Sequence, residues 1–220
     1  MDALVTAGGI PKEDDPLYVY TQGKSKALAD MAGKPMAQWV LDALSGSKEV
    51  GNVVIVGLDE SSGLTCKKPT YYLPNHGGMI DNIRAGTEKI LEVNPEAGLF
   101  LIVSSDIPTI TPEMVDWVVT NARQTDHSLY YHVVPKADME RRFPGSNRTY
   151  TKLKGIEVCG GDMNVAATWT VTAQEGLWTK LEDTRKNPLK QAAMVGFDTL
   201  FLVLFRLVTV EQAVRAQSAR

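Results

Sequence analysis

Cysteine is scarce in this chain of 220 residues: only Cys66 and Cys159 occur, far apart and with no partner at metal-ligand spacing. That excludes a disulfide-built scaffold and favours free thiols in a reducing compartment, so the expected location is the cytoplasm. Histidine is equally sparse, and His76, His127 and His132 read as structural or surface residues rather than a zinc site. A basic surplus is absent too. Lys plus Arg total 23 against 26 Asp plus Glu, a net charge of −3, which argues against nucleic acid as a partner. Met1 runs almost directly into the first strand, so a secretory leader is not expected. The one long apolar stretch, 193–208, contains Asp198 and Arg206 and is shorter than the roughly 20 apolar residues of a membrane span. It reads as a buried helix or a subunit contact, and a homodimer is the corresponding expectation. Repeats, low-complexity tracts, a nucleophile elbow and a Ser-His-Asp arrangement are all missing.

What remains is an alternation of strand-like and helix-like segments. Ala3-Leu4-Val5-Thr6, Asn52 to Leu58 and Leu99 to Val103 are β-branched or apolar runs that read as buried strands. Between them, Pro35 suits a helix N1 position, with Met36, Trp39, Val40, Ala43 and Leu44 at helical spacing. A second helix follows Gly77-Gly78, and a third opens at Thr111-Pro112-Glu113, with Thr111 as N-cap. This order predicts a three-layer α/β/α architecture with a mostly parallel, partly mixed sheet over 1–171. Leu129 to Val134, Arg148 to Leu153 and Val165 to Val171 are the expected later strands, and Met139 to Asn147 an exposed loop. Residues 172–220 read as a helical C-terminal extension, with helix starts at Asn187-Pro188 and at a capping box, Thr209-x-x-Gln212.

Chemistry is expected beyond the carboxyl ends of the strands. The first strand ends at Ala7-Gly8-Gly9, where glycine serves either a tight turn or the close approach of phosphates to backbone N–H groups. The pattern fits neither the dinucleotide fingerprint nor the P-loop. Lys12, Lys24 and Lys26 surround this loop, and Lys26 is the best candidate for a phosphate contact. Ser104-Ser105-Asp106 follows the most hydrophobic strand. Asp106 either caps the next turn or holds Mg²⁺, which takes one or two carboxylates together with phosphate oxygens. Gly160-Gly161-Asp162-Met163-Asn164 reads as a hairpin turn or as a second metal- or acceptor-binding loop. Arg141, Arg142, Arg148 and Lys152 form a basic stretch that is either a solvated face or a grip on an acceptor phosphate.

In register, these motifs resemble the nucleotidyltransferases of the glycosyltransferase-A-like (nucleotide-diphospho-sugar transferase-like) fold, with the closest likeness to the molybdenum-cofactor guanylyltransferase branch. Ala7-Gly8-Gly9 with Lys12, Lys26-Ala27-Leu28, Gly33-Lys34-Pro35-Met36, Asn75-His76-Gly77-Gly78 and Ser105-Asp106-Ile107-Pro108 carry it, over about the first half of the chain. The resemblance implies Mg²⁺- or Mn²⁺-dependent transfer of a nucleoside monophosphate from an NTP to a phosphorylated small molecule, releasing pyrophosphate. It implies nucleotide binding by Ala7, Gly8, Gly9, Lys12, Lys26, Gly77 and Gly78, and catalytic roles for Lys26 and Asp106. Metal ligation would fall to Asp106 and Asp162, and acceptor binding to Arg148, Lys152, Gly161 and Asn164. Three departures stand out: Lys12 where the family has arginine, an acidic insertion at Glu13-Asp14-Asp15, and no match to a further acidic C-terminal segment. A sugar-nucleotide-dependent glycosyltransferase and a degenerate nucleotide-binding or regulatory module are the alternatives.

Overall fold

Strand β1 (Asp2–Thr6) is buried almost throughout and pairs in parallel with β4 (Val53–Val56) on one side and β6 (Leu99–Ser104) on the other. The computed structural model describes residues 1–172 together with Thr209 and Gln212. The described residues form two compact units: 1–131 with 162–172, and His132–Gly161.

In the first unit the sheet order is β5-β4-β1-β6-β9, where β5 is Thr70–Leu73 and β9 is Ile156–Ala167. β5 extends the parallel set, whereas β9 runs antiparallel to β6. The chain leaves β1 for β4 on one side and returns to β6 on the other, so the carboxyl end of β1 is a topological switch point.

Alternation along the strands sorts the core into two faces. Ala3, Val5, Ile55, Leu101, Val103 and Val165 share one core cluster with side chains of helix α2 (Met36–Gly46) and helix α4 (Pro112–Ala122). Val40, Leu41 and Leu44 of α2 and Val115 and Val119 of α4 are completely buried there. Each such side chain contributes roughly 1.5–3 kcal/mol on leaving water. Helix α3 (Met79–Val93) covers the opposite face, where Gly86 lies so close to Leu4 that a Cβ would come within 2.2 Å of its Cδ1. The start of α4 is as expected, with Thr111 Oγ1 accepting from Met114 N at 3.3 Å, whereas α2 corrects the expectation: Pro35 is its N-cap, one place before N1.

Some elements were not visible in the pattern. A short helix α1 (Tyr18–Thr21) interrupts the glycine-loop insertion, and Gly33-Lys34-Pro35 belongs to a small hairpin of β2 (Asp30–Met31) and β3 (Lys34–Pro35). Its turn has Ala32 at φ 56° and Gly33 at φ 90°, the left-handed pair that a tight hairpin requires.

The second unit contains β8 (Thr151–Leu153), antiparallel to the first part of β9, and the helix α5 (Lys136–Arg142). Strand β7 (Leu129–Pro135) runs alongside β9, and both strands contribute residues to each unit. The expected loop at Met139–Asn147 is therefore helical in its first part. The expected strand Val165–Val171 is corrected as well: β9 ends at Ala167, and Thr168–Thr172 is a short helix, α6. Residues 173–208, including the apolar run 193–208 and Asn187-Pro188, lie outside the described residues. The capping box is present, with Thr209 N donating to Gln212 Oε1 at 3.0 Å and Gln212 N to Thr209 Oγ1 at 3.2 Å. Among the described residues no helix is long and apolar enough to cross a membrane.

Candidate active site

Three strand ends meet at the switch point, and each is followed by a residue chosen for its lack of bulk or for its charge. After β1, Ala7 is buried and continues the ladder, its N–H donating to Val56 O at 2.8 Å. Gly8 and Gly9 then turn outward. After β4, Gly57 (φ +102°) packs directly beneath them: a Cβ there would lie 2.3 Å from Gly8 N. Only glycine satisfies both that dihedral and that approach. After β6, Ser105 N donates to Thr6 O at 3.2 Å, which draws the Asp106 turn onto the end of β1.

The loop from Gly9 to Lys26 closes on itself at its base. Lys26 N donates to Gly9 O at 2.9 Å, and the buried Ser25 hydroxyl donates to Ala7 O at 2.6 Å. Ser25 Oγ also accepts from Ala27 N at 3.3 Å, starting a 3-10 turn over Lys26–Leu28. The stem of Lys26 runs under Gly9, where a Cβ would meet Lys26 Cε at 2.8 Å. Its ammonium is thereby aimed across the sheet end, where it donates to Asp106 Oδ2. Ser104 donates to the other carboxylate oxygen, Oδ1. Burial alone would raise the Asp106 pKa, but the hydrogen bonds from Lys26 and Ser104 and the Lys26 charge outweigh it, so the carboxyl is held below the ordinary range. Lys26 and Asp106 each keep about a third of their side-chain surface open, at 33% and 30%.

The Asn75-Gly78 loop borders the same glycines. Asn75 Nδ2 donates to Gly8 O at 2.9 Å, while its Oδ1 accepts from Gly77 N at 3.0 Å and from Asn82 Nδ2 at 3.1 Å. Gly77 has φ +94°, and Gly78 is the N-cap of α3, which no side chain caps. Gly8, Gly9, Lys26, Asp106 and the 75–78 loop are thus one constellation.

The other expected residues are placed differently. Lys12 is exposed on the glycine-loop insertion, as are Glu13, Asp14 and Asp15. Gly160–Asn164 is not a turn but the interior of β9, where pairing of Met163 and Asn164 with β6 and the continuation of the strand on both sides override its low strand propensity. Val103 pairs with Met163 and Ile102 with Asn164, so Asp162, one residue before Met163 in β9, lies near the carboxyl end of β6. Asp162 thus belongs to the end of the sheet that carries Asp106, with Asn164 two residues along. Among the described residues no group of three or more His, Cys, Asp and Glu side chains stands together as a metal site. Arg148, Lys152 and Gly161 belong to the second unit. There Arg148 Nη2 donates to Gly160 O at 2.7 Å, Lys152 pairs with Glu157 at 3.2 Å, and Gly161 packs against His132. Lys34 of the Gly-Lys-Pro motif pairs with Asp42 and lies 3.6 Å over the Trp39 ring. Ser25, Gly57, Asn82 and the hydroxyl of Ser104 escaped sequence reasoning. Only Ser104, adjacent to the Asp106 motif, carried a signal that could have been read.

Comparison with known proteins agrees with this geometry. A description of the MobA-like NTP transferase domain matches residues 5–186. A hypothetical transferase from Thermus thermophilus is 30% identical, with a TM-score of 0.84 over 99% of this chain and 87% of that one. The structure of a CMP:2-keto-3-deoxy-manno-octonic acid synthetase complexed with CTP shares the fold, at a TM-score of 0.57 and 15% identity over 80% of this chain and 78% of that one. The 3-deoxy-manno-octulosonate cytidylyltransferase of Geobacter sulfurreducens is 30% identical over 105 residues, 45% of this chain and 39% of that protein. The chain spans about two-fifths of the length of the curated relatives it matches. With the switch-point constellation, the mixed sheet and the match over residues 5–186 in agreement, this chain belongs to the MobA-like NTP transferase domain family.

Proposed function

We infer that the protein is a nucleotidyltransferase that moves a nucleoside monophosphate from an NTP to a phosphorylated small molecule. An oxygen of the acceptor phosphate attacks the α-phosphorus, the bond to the β-phosphate oxygen breaks, and pyrophosphate leaves. The observation that carries this reading is the Lys26–Asp106 pair at the mouth of the glycine loop, two opposite charges brought together from 80 residues apart. The acceptor phosphate is already anionic, so the reaction needs no protein nucleophile. Positioning and charge stabilisation supply the rate.

In this reading the N–H groups of Gly8 and Gly9 and the uncapped start of α3 at Gly77-Gly78 receive the nucleotide. Lys26 exchanges Asp106 for the departing phosphates, and Lys12 adds charge from the exposed part of the loop. The residues present fit a divalent cation. Asp106 is held below the ordinary carboxyl range at a partly open strand end, Asp162 precedes Met163, the β9 residue paired with Val103 of β6, and Mg²⁺ takes few carboxylates when phosphates complete its shell. Asp106 and Asp162 would hold Mg²⁺ or Mn²⁺, which when bound screens the charge of the α- and β-phosphates. The resemblance implies acceptor roles for Arg148, Lys152 and Gly161 of the second unit and, by itself, for Asn164 of the first. The names of the curated relatives favour CTP and the guanylyltransferase likeness favours GTP, so both belong in the test.

The test is a pyrophosphate-release screen of the four NTPs with Mg²⁺ against pooled phosphorylated acceptors. Release that requires both an NTP and an acceptor, and that disappears in Asp106→Ala, is the expected result. Release of a nucleoside diphosphate from a sugar nucleotide would instead establish the glycosyltransferase alternative. Nucleotide binding with neither product would establish a binding module.

A further inference from the structure

Asn82 is a polar side chain with only 6% of its surface exposed, on an α3 face that otherwise buries Gly86, Thr87 and Ile90. A buried amide is retained at a cost unless every one of its groups is used. Here both ends are used, and the order of use has a direction. His76 N is a donor and lies 2.7 Å from Asn82 Oδ1, so the amide cannot be flipped. Asn82 Nδ2 must therefore face Asn75, at 3.1 Å, and Asn75 must present its own Oδ1. That leaves Asn75 Nδ2 for Gly8 O, at 2.9 Å. The polarity of one buried amide thus fixes the orientation of a second, exposed one, and through it the carbonyl of the glycine loop.

Gly8 has no freedom to drift away from this relay. On one side a Cβ on Gly8 would meet Asn82 Nδ2 at 2.8 Å and Asn75 Oδ1 at 2.9 Å, while on the other Gly57 lies directly against Gly8 N. The two backbone edges of the cleft, Gly8-Gly9 and Gly77-Gly78, are consequently tied to a single point on a rigid helix.

We propose that Asn82 is a positioning residue: acting through Asn75, it sets the spacing between the glycine loop and the Gly77-Gly78 loop before a nucleotide arrives. This assignment rests on the reading of the cleft as the nucleotide site. A cleft held at its bound spacing spares the ligand the cost of ordering two loops, so the relay's contribution falls on nucleotide affinity.

Asn82→Asp is the sharpest probe, because it keeps shape and keeps the acceptor for His76 N. It replaces the donor facing Asn75 with a second acceptor, which reverses the relay. A carboxylate in the first turns of a helix is electrostatically tolerated, so the fold should persist. Calorimetric titration of CTP and GTP with Mg²⁺ is compared for wild type, Asn82→Asp, Asn75→Ala and the double variant. Thr87→Val serves as control, a buried α3 residue whose hydroxyl bonds Ile83 O at 2.8 Å. Each relay variant is expected to weaken nucleotide binding about tenfold, with the double variant no weaker than the worse single one. Amide hydrogen exchange in the free protein should quicken at both 8–10 and 76–78 in Asn82→Asp. Thr87→Val should lower the Tm with unchanged affinity. Unaltered affinity in Asn82→Asp, or losses that add in the double variant, overturns the relay while leaving the nucleotide reading intact. Wild-type protein that binds neither nucleotide overturns that reading and the relay with it.

Discussion

Two carboxylates mark the two ends of the same parallel strands, and their surroundings differ in kind. Asp2, at the amino end of β1, is 3% exposed and accepts only neutral donors: Asn52 N and Nδ2 at 2.9 Å each and Asn94 Nδ2 at 2.6 Å. It ties the start of β1 to the start of β4 and to the C-cap of α3. Asp106, at the carboxyl end, keeps about a third of its side-chain surface open and is held by an ammonium that can exchange partners. A carboxylate surrounded by fixed neutral amides is part of the framework, whereas one answered by a long, partly solvated cation can take a different partner.

That contrast fails or survives by paired substitution. Asp106→Ala should lower turnover by about a hundredfold or more while the Tm moves little. Asp2→Ala, in contrast, strands buried amide donors and should cost about 3 kcal/mol of stability with unchanged KM and kcat in the folded fraction. Urea unfolding run beside steady-state kinetics decides it, and a catalytic defect in Asp2→Ala would erase the distinction. Because the folded pKa of Asp106 is lowered, its stabilising contribution is present above the unfolded value near ~3.9 and is lost as pH falls through the folded one. Any stability gap between wild type and Asp106→Asn should therefore close in acid.

A smaller effect is expected at Lys26. Lys26→Met keeps the stem under Gly9 but removes the charge, and should cost about tenfold to a hundredfold in kcat/KM. An unchanged value would return Lys26 to the surface. The smallest effect should come from Ala32→Asn in the β2–β3 turn, where asparagine tolerates the φ of 56° better than alanine. A gain of roughly 0.5–1 kcal/mol with unaltered kinetics would show that stability and turnover are set by different parts of this unit.

The parallel half of the fold was legible because its strands are continuous apolar runs and its helices begin with strong local signals. Thr111 capped where expected, and the box at Thr209 and Gln212 formed. Strand β5 and the interior of β9 were not legible, since Thr70–Leu73 is half-exposed and Gly160-Gly161-Asp162 has turn chemistry. Their strand character comes from neighbours far away in sequence. Lys26 and Asp106 could be nominated from motif spacing, but their pairing across 80 residues could not. Asn82 was invisible in sequence. One asparagine in a helical pattern has no periodicity of its own, and its meaning lies in the direction of a hydrogen bond.

The clasp at the base of the glycine loop separates what the loop does from how long it is. Lys26 N to Gly9 O and Ser25 Oγ to Ala7 O hold both ends at fixed positions, while Lys12 to Asp15 between them lie exposed. Closing a loop costs only a logarithm of its length, so residues added beyond the clasp weigh little on the fold. The acidic insertion is thus a segment that descent could lengthen, shorten or recharge while leaving the position of the Lys26 ammonium undisturbed.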